Sequence, residues 1–246
     1  MTKKELLLEI NKKPLPKHIA LILDGNGRWA NKRGLPRNLG HKAGAENLYK
    51  IVKYAHEIGI KAVTVFAFST ENWNRPEEEV NYLMKEALRF KEQYKEGINK
   101  NNFRVKIIGE RNKLNQDILD LIDRTNESTK DKNDFYFTIC LNYGSIQEIT
   151  HAVKEISKEV KKGNLKEEEI TPELIDSYLY TNELPKLDLL IRTSGELRIS
   201  NFLLWQLAYA ELYFTNTYWP DFSEKDLLVA IENFQNRKRR LGGLDK

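Results

Sequence analysis

Residues Leu21 to Ala30 read LILDGNGRWA: an apolar run ends at a carboxylate, Asp24, and is followed by Gly25, Asn26, Gly27 and Arg28. Two other stretches have a similar character, STENWNRP after the apolar run AVTVFAF and RTSGELRISN after LDLLI. Pooled, the three supply one aspartate, arginines at 28, 75, 192 and 198, the hydroxyls of Ser69, Ser194 and Ser200, and the carboxamides of Asn26 and Asn72. Arg37 and His41 follow a short way downstream of the first. Guanidinium forks bind phosphate oxygens in pairs. Glycine lets backbone N–H groups approach an anion closely, and a helix N-terminus adds its dipole. Asp24 is the odd member, because a carboxylate repels phosphate unless a cation stands between them. Mg2+ does so, held by one or two carboxylates together with phosphate oxygens. This inventory fits a multiply charged phosphate ligand, with Asp24 on the metal and the Gly-Asn-Gly turn around the phosphates.

Each piece also has a plainer reading. A GxG after a strand serves as a tight turn, and an aspartate there serves as a helix N-cap. Ala30 stands where a dinucleotide fingerprint needs its third glycine, and no GK[ST] makes a phosphate loop of the nucleotide-triphosphate kind. Asn74, Pro76 and Glu77 to Glu79 read as the capped, acidic start of a helix. That helix carries Val80, Leu83, Met84, Ala87 and Leu88 on one face, spacing that suits a core and also the wall of an apolar slot.

These residues need a frame that brings strand ends together. Strands are predicted at His18–Leu23, Ala62–Phe68, Arg104–Ile108, Phe135–Leu141, Asp188–Ile191 and Leu212–Phe214. Helical patterns fall at Gly40–Glu57, Glu77–Asn99, Gln116–Thr129, Ile146–Val160, Pro172–Tyr178, Ser200–Tyr209 and Glu224–Arg240. Alternation of this kind predicts an α/β fold, one domain over residues 1–246 with a mostly parallel central sheet of about six strands flanked by helices. The first sixteen residues read as a loose N-terminal extension. In such sheets ligands bind beyond the carboxyl ends of the strands, where the three stretches fall. In FYFTICL, Phe135, Phe137, Ile139 and Leu141 share one face, and the two phenylalanines either cap a tunnel or pack the core.

Composition narrows the classes. With 40 Lys and Arg against 36 Asp and Glu, the net charge is +4, which permits an anionic ligand but does not demand nucleic acid. Cys140 is the only cysteine, so no intramolecular disulfide or cysteine-cluster metal site forms, and a reducing compartment fits. His18, His41, His56 and His151 lack metal-ligand spacing. No signal peptide is read, and no apolar run is long enough to span a bilayer, so any membrane contact is peripheral. The basic run Arg237–Arg240 reads as a solvated helix end, with attraction to a membrane surface as its alternative.

Taken together, HIALILDGNGRWA, GHKAGAE, FAFSTENWNRP, DLLIRTSGELRISNFLLWQLAYAELYF and WPDF resemble the cis-prenyltransferases, and among them the bacterial undecaprenyl diphosphate synthases, or isoprenyl transferases. The likeness runs from His18 to Gly243, and the DDxxD helix motif of the trans-prenyltransferases is absent. The resemblance implies a cytoplasmic homodimer, in transient peripheral contact with the inner face of the membrane, that adds isopentenyl diphosphate to an allylic diphosphate such as farnesyl diphosphate. An apolar tunnel would take the growing chain. It implies Mg2+ on Asp24, with Glu211 as a second ligand. It places Gly25, Asn26, Gly27, Arg28 and Trp29 on the allylic diphosphate loop, with Arg37 and His41 nearby. Ser69, Thr70, Glu71, Trp73 and Arg75 would line the substrate region, and Asn72 would be catalytic. Because a carboxamide is a poor base, Asn72 fits positioning better than proton removal. Arg192, Arg198, Ile199 and Ser200 would form the isopentenyl diphosphate clamp, on a loop, Thr193–Arg198, that is mobile until substrate arrives. One departure stands out: Asn142 to Ile146 read NYGSI where the family pattern is NYGGR, which puts local packing and dimer contacts in question.

Overall fold

The computed structural model describes residues 1–100 and 102–237, with side chains 90–100 left aside. Six parallel strands form one sheet: β1 His18–Ile22, β2 Ala62–Ser69, β3 Phe103–Ile108, β4 Phe135–Tyr143, β5 Leu189–Arg192 and β6 Glu211–Phe214. Their order across the sheet is β3-β4-β2-β1-β5-β6. Every residue of β1 and β5 is buried, as a sheet covered on both faces requires. The chain turns one way from β1 toward β2 and the other way from β5 toward β6, so the switch point lies between β1 and β5. Ile22 is in register with Arg192 there, two residues before Asp24.

The helices are α1 Lys3–Ile10, α2 Asn26–Lys32, α3 Arg37–Glu57, α4 Glu77–Lys100, α5 Gln116–Ser128, α6 Ser145–Lys161, α7 Pro172–Tyr178 and α8 Glu224–Gln235. Leu6, Ile10, Leu48, Ile51 and Val52 join strand residues Ile19, Leu21, Val63, Val65 and Ile191 in the largest apolar core. Phe202, Leu203, Leu187 and Tyr143 cover the other face through Ala20, Ile22, Leu190 and Cys140. The predicted α/β frame and all six strands are present, with ends displaced by a residue or two.

Three expectations need correction. The N-terminal segment is not loose, since α1 has a Thr2/Glu5 capping box and buries Leu6 and Ile10. Its following carbonyls, Ile10, Lys13 and Pro14, accept from the Gln235 carboxamide at the end of α8. The T-x-x-E pattern before LLLEI carries that cap in the sequence. Second, the segment after Asp24 is not a bare turn: Gly25, at φ +100°, is the N-cap of α2. Third, the predicted helix Ser200–Tyr209 shrinks to a 3-10 turn at Gln206–Tyr209. Ser200, Asn201 and Leu203 all have positive φ, which directs Phe202 and Leu203 into the core and leaves Ser200 beside Arg192. The predicted last helix ends at Gln235, and Lys238 to Arg240 of the basic run lie outside the described residues.

Phe135 and Phe137 do share a face with Ile139 and Leu141. Both phenylalanines are fully buried in the main core, where His56 meets Phe103 and Phe135 edge-on at 5.0 and 5.3 Å.

Candidate functional site

A pocket of about 500 Å³ opens at the carboxyl ends of β1, β2 and β5. Its mouth is polar, with Asp24, Asn26, Arg28, Arg37, His41, Arg75, Arg192, Arg198 and Ser200, and its depth is apolar, with Leu48, Leu83, Ala87, Ile107, Leu121, Ile139 and Leu141. Gly25, Gly27, Ser69 and Asn72 also line it. Thus thirteen of the predicted residues meet in one cavity although they come from four segments of the chain.

Local geometry explains the mouth. α3 packs against the start of α2 through two glycines one turn apart. A Cβ on Gly40 would stand 2.0 Å from the Asn26 carbonyl oxygen, and one on Gly44 would stand 2.3 Å from Asn26 Oδ1. The GHKAG stretch is therefore the socket that holds the Asp24–Arg28 segment. Thr193 Oγ1 donates to the Asp24 carbonyl at 2.7 Å, closing the same segment onto β5.

The Asp24 carboxylate sits between two guanidiniums. Arg192 Nη2 is 3.0 Å from Oδ2, and Arg28 Nη2 is 3.1 Å from Oδ1. Burial works against the charged carboxylate, but the hydrogen bond and charge of Arg192, joined by Arg28, outweigh it and hold Asp24 below the ordinary carboxylate range. Arg192 is buried, and its other nitrogen donates to Ser200 Oγ at 2.9 Å and to the Arg198 carbonyl. Glu196 bridges Arg28, at 2.8 Å, and Arg198, at 2.6 Å.

A second carboxylate organises the opposite wall. Glu79 Oε1 collects Arg75 Nη1 at 2.9 Å, Arg37 Nε at 3.1 Å and His41 Nε2 at 3.3 Å. Burial lowers His41, and Arg75 and Arg37 reinforce this against the pull of Glu79. In the sequence Glu79 reads only as part of an acidic helix start. Its spacing of four from Arg75 is the available signal. Asn31, Glu86 and Trp219 also line the pocket; no sequence pattern singles out the first two, while Trp219 opens the WPDF segment.

Asn72 lies in the 3-10 turn Thr70–Asn74, where its Oδ1 accepts from the Ser69 N–H at 3.1 Å. Asn72 itself lines the cavity. Trp29, Thr70, Glu71, Trp73 and Ile199 do not line the cavity. Trp29 Nε1 donates to Asp221, Trp73 Nε1 donates to Asn142, and Glu71 accepts from Asn201 at 3.0 Å, so these three act as struts. Burial opposes ionisation of Glu71, yet the Asn201 hydrogen bond and local donors hold it below its usual range.

Glu211 is not brought to Asp24 within one chain. It pairs with Leu189 at the amino end of β5, three residues before Arg192, which is about 10 Å along a strand. Its carboxylate binds Arg237 at 2.6 Å. Among the described residues no three His, Cys, Asp or Glu side chains group as a metal site. Asp24 alone therefore fits Mg2+ only together with ligand oxygens, as this cation's preference for phosphate and water allows.

Fold and site define an α/β protein with a cationic mouth for a multiply charged anion and an apolar recess behind it. The undecaprenyl diphosphate synthase family model matches residues 22–242, and the chain belongs to that family. An isoprenyl transferase of Bacillus cereus is 46% identical over 239 residues, covering 97% of this chain and 93% of that one. One from Fusobacterium nucleatum is 50% identical over 232 residues, covering 94% and 98%. Among solved structures, the lavandulyl diphosphate synthase of Lavandula x intermedia in complex with dimethylallyl diphosphate superposes with a TM-score of 0.87. It is 34% identical and spans 96% of this chain and 100% of its own.

Proposed function

We propose that the protein is a cis-prenyltransferase that condenses isopentenyl diphosphate onto an allylic diphosphate, such as farnesyl diphosphate, to give a long polyprenyl diphosphate of the undecaprenyl kind. The carrying observation is the single pocket in which a mouth of arginines and one ionised aspartate leads to an aliphatic recess. The lavender enzyme's complex with dimethylallyl diphosphate supports an allylic diphosphate as one substrate.

The allylic diphosphate lies against the N-terminal turn of α2, whose first N–H groups lack intrahelical acceptors, with Arg28, Arg37 and Arg75 around it. The second diphosphate lies on Arg192, Arg198 and Ser200. Asp24 would hold Mg2+, which when bound supplies charge neutralisation for the leaving diphosphate. The allylic C1–O bond breaks with its electron pair departing on diphosphate. The alkene of isopentenyl diphosphate bonds to C1, and one proton then leaves the adjacent carbon for a diphosphate oxygen or water. Asn72 positions rather than deprotonates, because its oxygen is already engaged. Preorganised guanidiniums favour the charge developing on the leaving diphosphate. Each methylene entering the recess gains about 0.8 kcal/mol.

A second copy of the chain would cover the open edge strand β6, beside which Leu204, Tyr209 and Leu212 stand exposed. Among the described residues no helix is long and apolar enough to cross a membrane. Membrane contact during product release is proposed as peripheral, at the inner face of the cytoplasmic membrane.

The test is incubation of the protein with farnesyl diphosphate, labelled isopentenyl diphosphate and Mg2+, beside an Asp24→Asn control. A ladder reaching undecaprenyl length, absent in the control, is expected. A ladder stopping short keeps the chemistry and changes the product. No incorporation overturns the assignment.

A further inference from the structure

We propose that Ser145 is a positioning residue: its buried hydroxyl fixes the loop that presents Ser200 to Arg192. This rests on the reading of Arg192, Arg198 and Ser200 as a diphosphate clamp.

The loop is unusual in its backbone. Ser200, Asn201 and Leu203 have φ of +52°, +61° and +47°, a region that L residues enter reluctantly. Something must hold three such residues within a span of four. Phe202 and Leu203 are completely buried, and Phe202 stacks on Phe66, a pocket-lining ring, at 4.4 Å. The polar hold comes from the first turn of α6. The Ser145 N–H donates to the Asn201 carbonyl at 2.8 Å, and the Ile146 N–H donates to Asn201 Oδ1 at 2.9 Å. The Leu204 N–H donates to Ser145 Oγ at 2.8 Å. Asn201 Nδ2 reaches Gln147 at 3.1 Å and Glu71 at 3.0 Å, tying the loop to the turn that carries Asn72.

Ser145 has no exposed surface and does not line the pocket. Any effect it has on the clamp passes through the loop. Without the hydroxyl, the Leu204 N–H loses its acceptor, and the left-handed turn loses its C-terminal fastening. Arg192 then keeps its bond to Asp24, but Ser200 is no longer fixed beside its other nitrogen. The second diphosphate therefore suffers, whereas the allylic diphosphate on α2 and α3 does not.

The experiment compares wild type with Ser145→Ala and Ser145→Gly by amide hydrogen exchange at Leu204, by KM for each substrate and by melting temperature. Faster exchange at Leu204 is expected in both variants. KM for isopentenyl diphosphate should rise roughly three- to tenfold, the effect of one lost hydrogen bond, with KM for the allylic diphosphate unchanged. Unaltered exchange overturns the anchor. Faster exchange with unchanged KM values, or equal loss for both substrates with a falling melting temperature, reduces Ser145 to a structural residue and overturns the proposal. Titration of wild type with inorganic pyrophosphate, read at the Ser200 and Asn201 amides, separates the two layers. No response there overturns the clamp reading itself, while Leu204 exchange still reports on the anchor.

Discussion

At the scale of single residues, the decisive balance is charge in partial burial. Asp24 is half-buried yet ionised because two guanidiniums outweigh its lost hydration. Asp24→Asn preserves shape and removes the charge shared by both cations, leaving Arg28 its bond to Glu196. Turnover should fall by roughly 10² to 10³, the cost of removing one organising charge from an active site. Affinity for pyrophosphate without metal should hold or rise, as calorimetry would show. A mutant with near-normal turnover would remove Asp24 from the mechanism. His18 shows the opposite balance. Its Nδ1 donates to the Pro185 carbonyl at 2.9 Å, so in the neutral ring Nε2 accepts from the Thr64 hydroxyl at 2.8 Å. Burial drives its pKa down to about 4. The unfolded chain therefore binds the extra proton first as pH falls. The stability that neutral His18 contributes is complete above about pH 6.5 and disappears as pH drops toward 4, a loss of roughly 3 kcal/mol. Glu148, raised chiefly by burial, works in the other direction, so the informative quantity is a difference between proteins. Urea unfolding of wild type and His18→Gln across pH 4 to 7 should show a slope in wild type that the variant lacks, and parallel curves would refute it.

At the scale of elements, the site depends on how closely α2 approaches α3. A Cβ on Gly40 would meet backbone, the Asn26 carbonyl, rather than a side chain able to swing away. Gly40→Ala should thus separate the helices, lower stability by about 1–3 kcal/mol and displace Asp24 and Arg28 together. Thermal unfolding and turnover would fall in step, and an unchanged melting temperature would show that the socket is looser than it looks. Much of this level is legible in the chain. β1 to β6 announce themselves through apolar runs, and the three cationic stretches fall at strand ends as their positions after those runs require. What escapes has physical causes. α2 is short and begins with glycines that read as a turn. α1 is a brief helix held by its docking onto α8, which no local pattern reveals beyond its capping box. Residues 200–204 carry helix-like apolar spacing, but the core takes Phe202 and Leu203 through left-handed backbone instead. Glu79 looks like dipole compensation, since two of its three partners, Arg37 and His41, come from another segment. Glu211 is a carboxylate with no local pattern to place it, and only strand register shows it away from Asp24 within one chain.

At the scale of the molecule, the sheet does two jobs along one axis. Its carboxyl ends at the β1/β5 switch point gather charge, and one face beneath them gives the recess its floor. Descending β4 on that face, Leu141 and Ile139 line the recess, and Phe137 and Phe135, farther along the same strand, are buried in the core beyond it. Phe103 on neighbouring β3 lies 4.7 Å from Phe135 between ring centres, and His56 of α3 leans on both. A growing hydrocarbon chain that descends this face meets aromatic rings, and it can lengthen only while burial of further methylenes exceeds the cost of moving them. Phe135→Leu removes ring volume while keeping the position apolar, and it avoids the roughly 3–5 kcal/mol that a full truncation to alanine would cost. The expected result is a product distribution shifted upward by one or more isoprene units at unchanged KM for both diphosphates, read by mass spectrometry of the dephosphorylated products. Unchanged products from a folded variant would mean that the chain leaves the recess before the aromatic floor, between α3 and α4. Length would then be set at that exit, and the same assay on Leu83 and Ala87 variants would locate it.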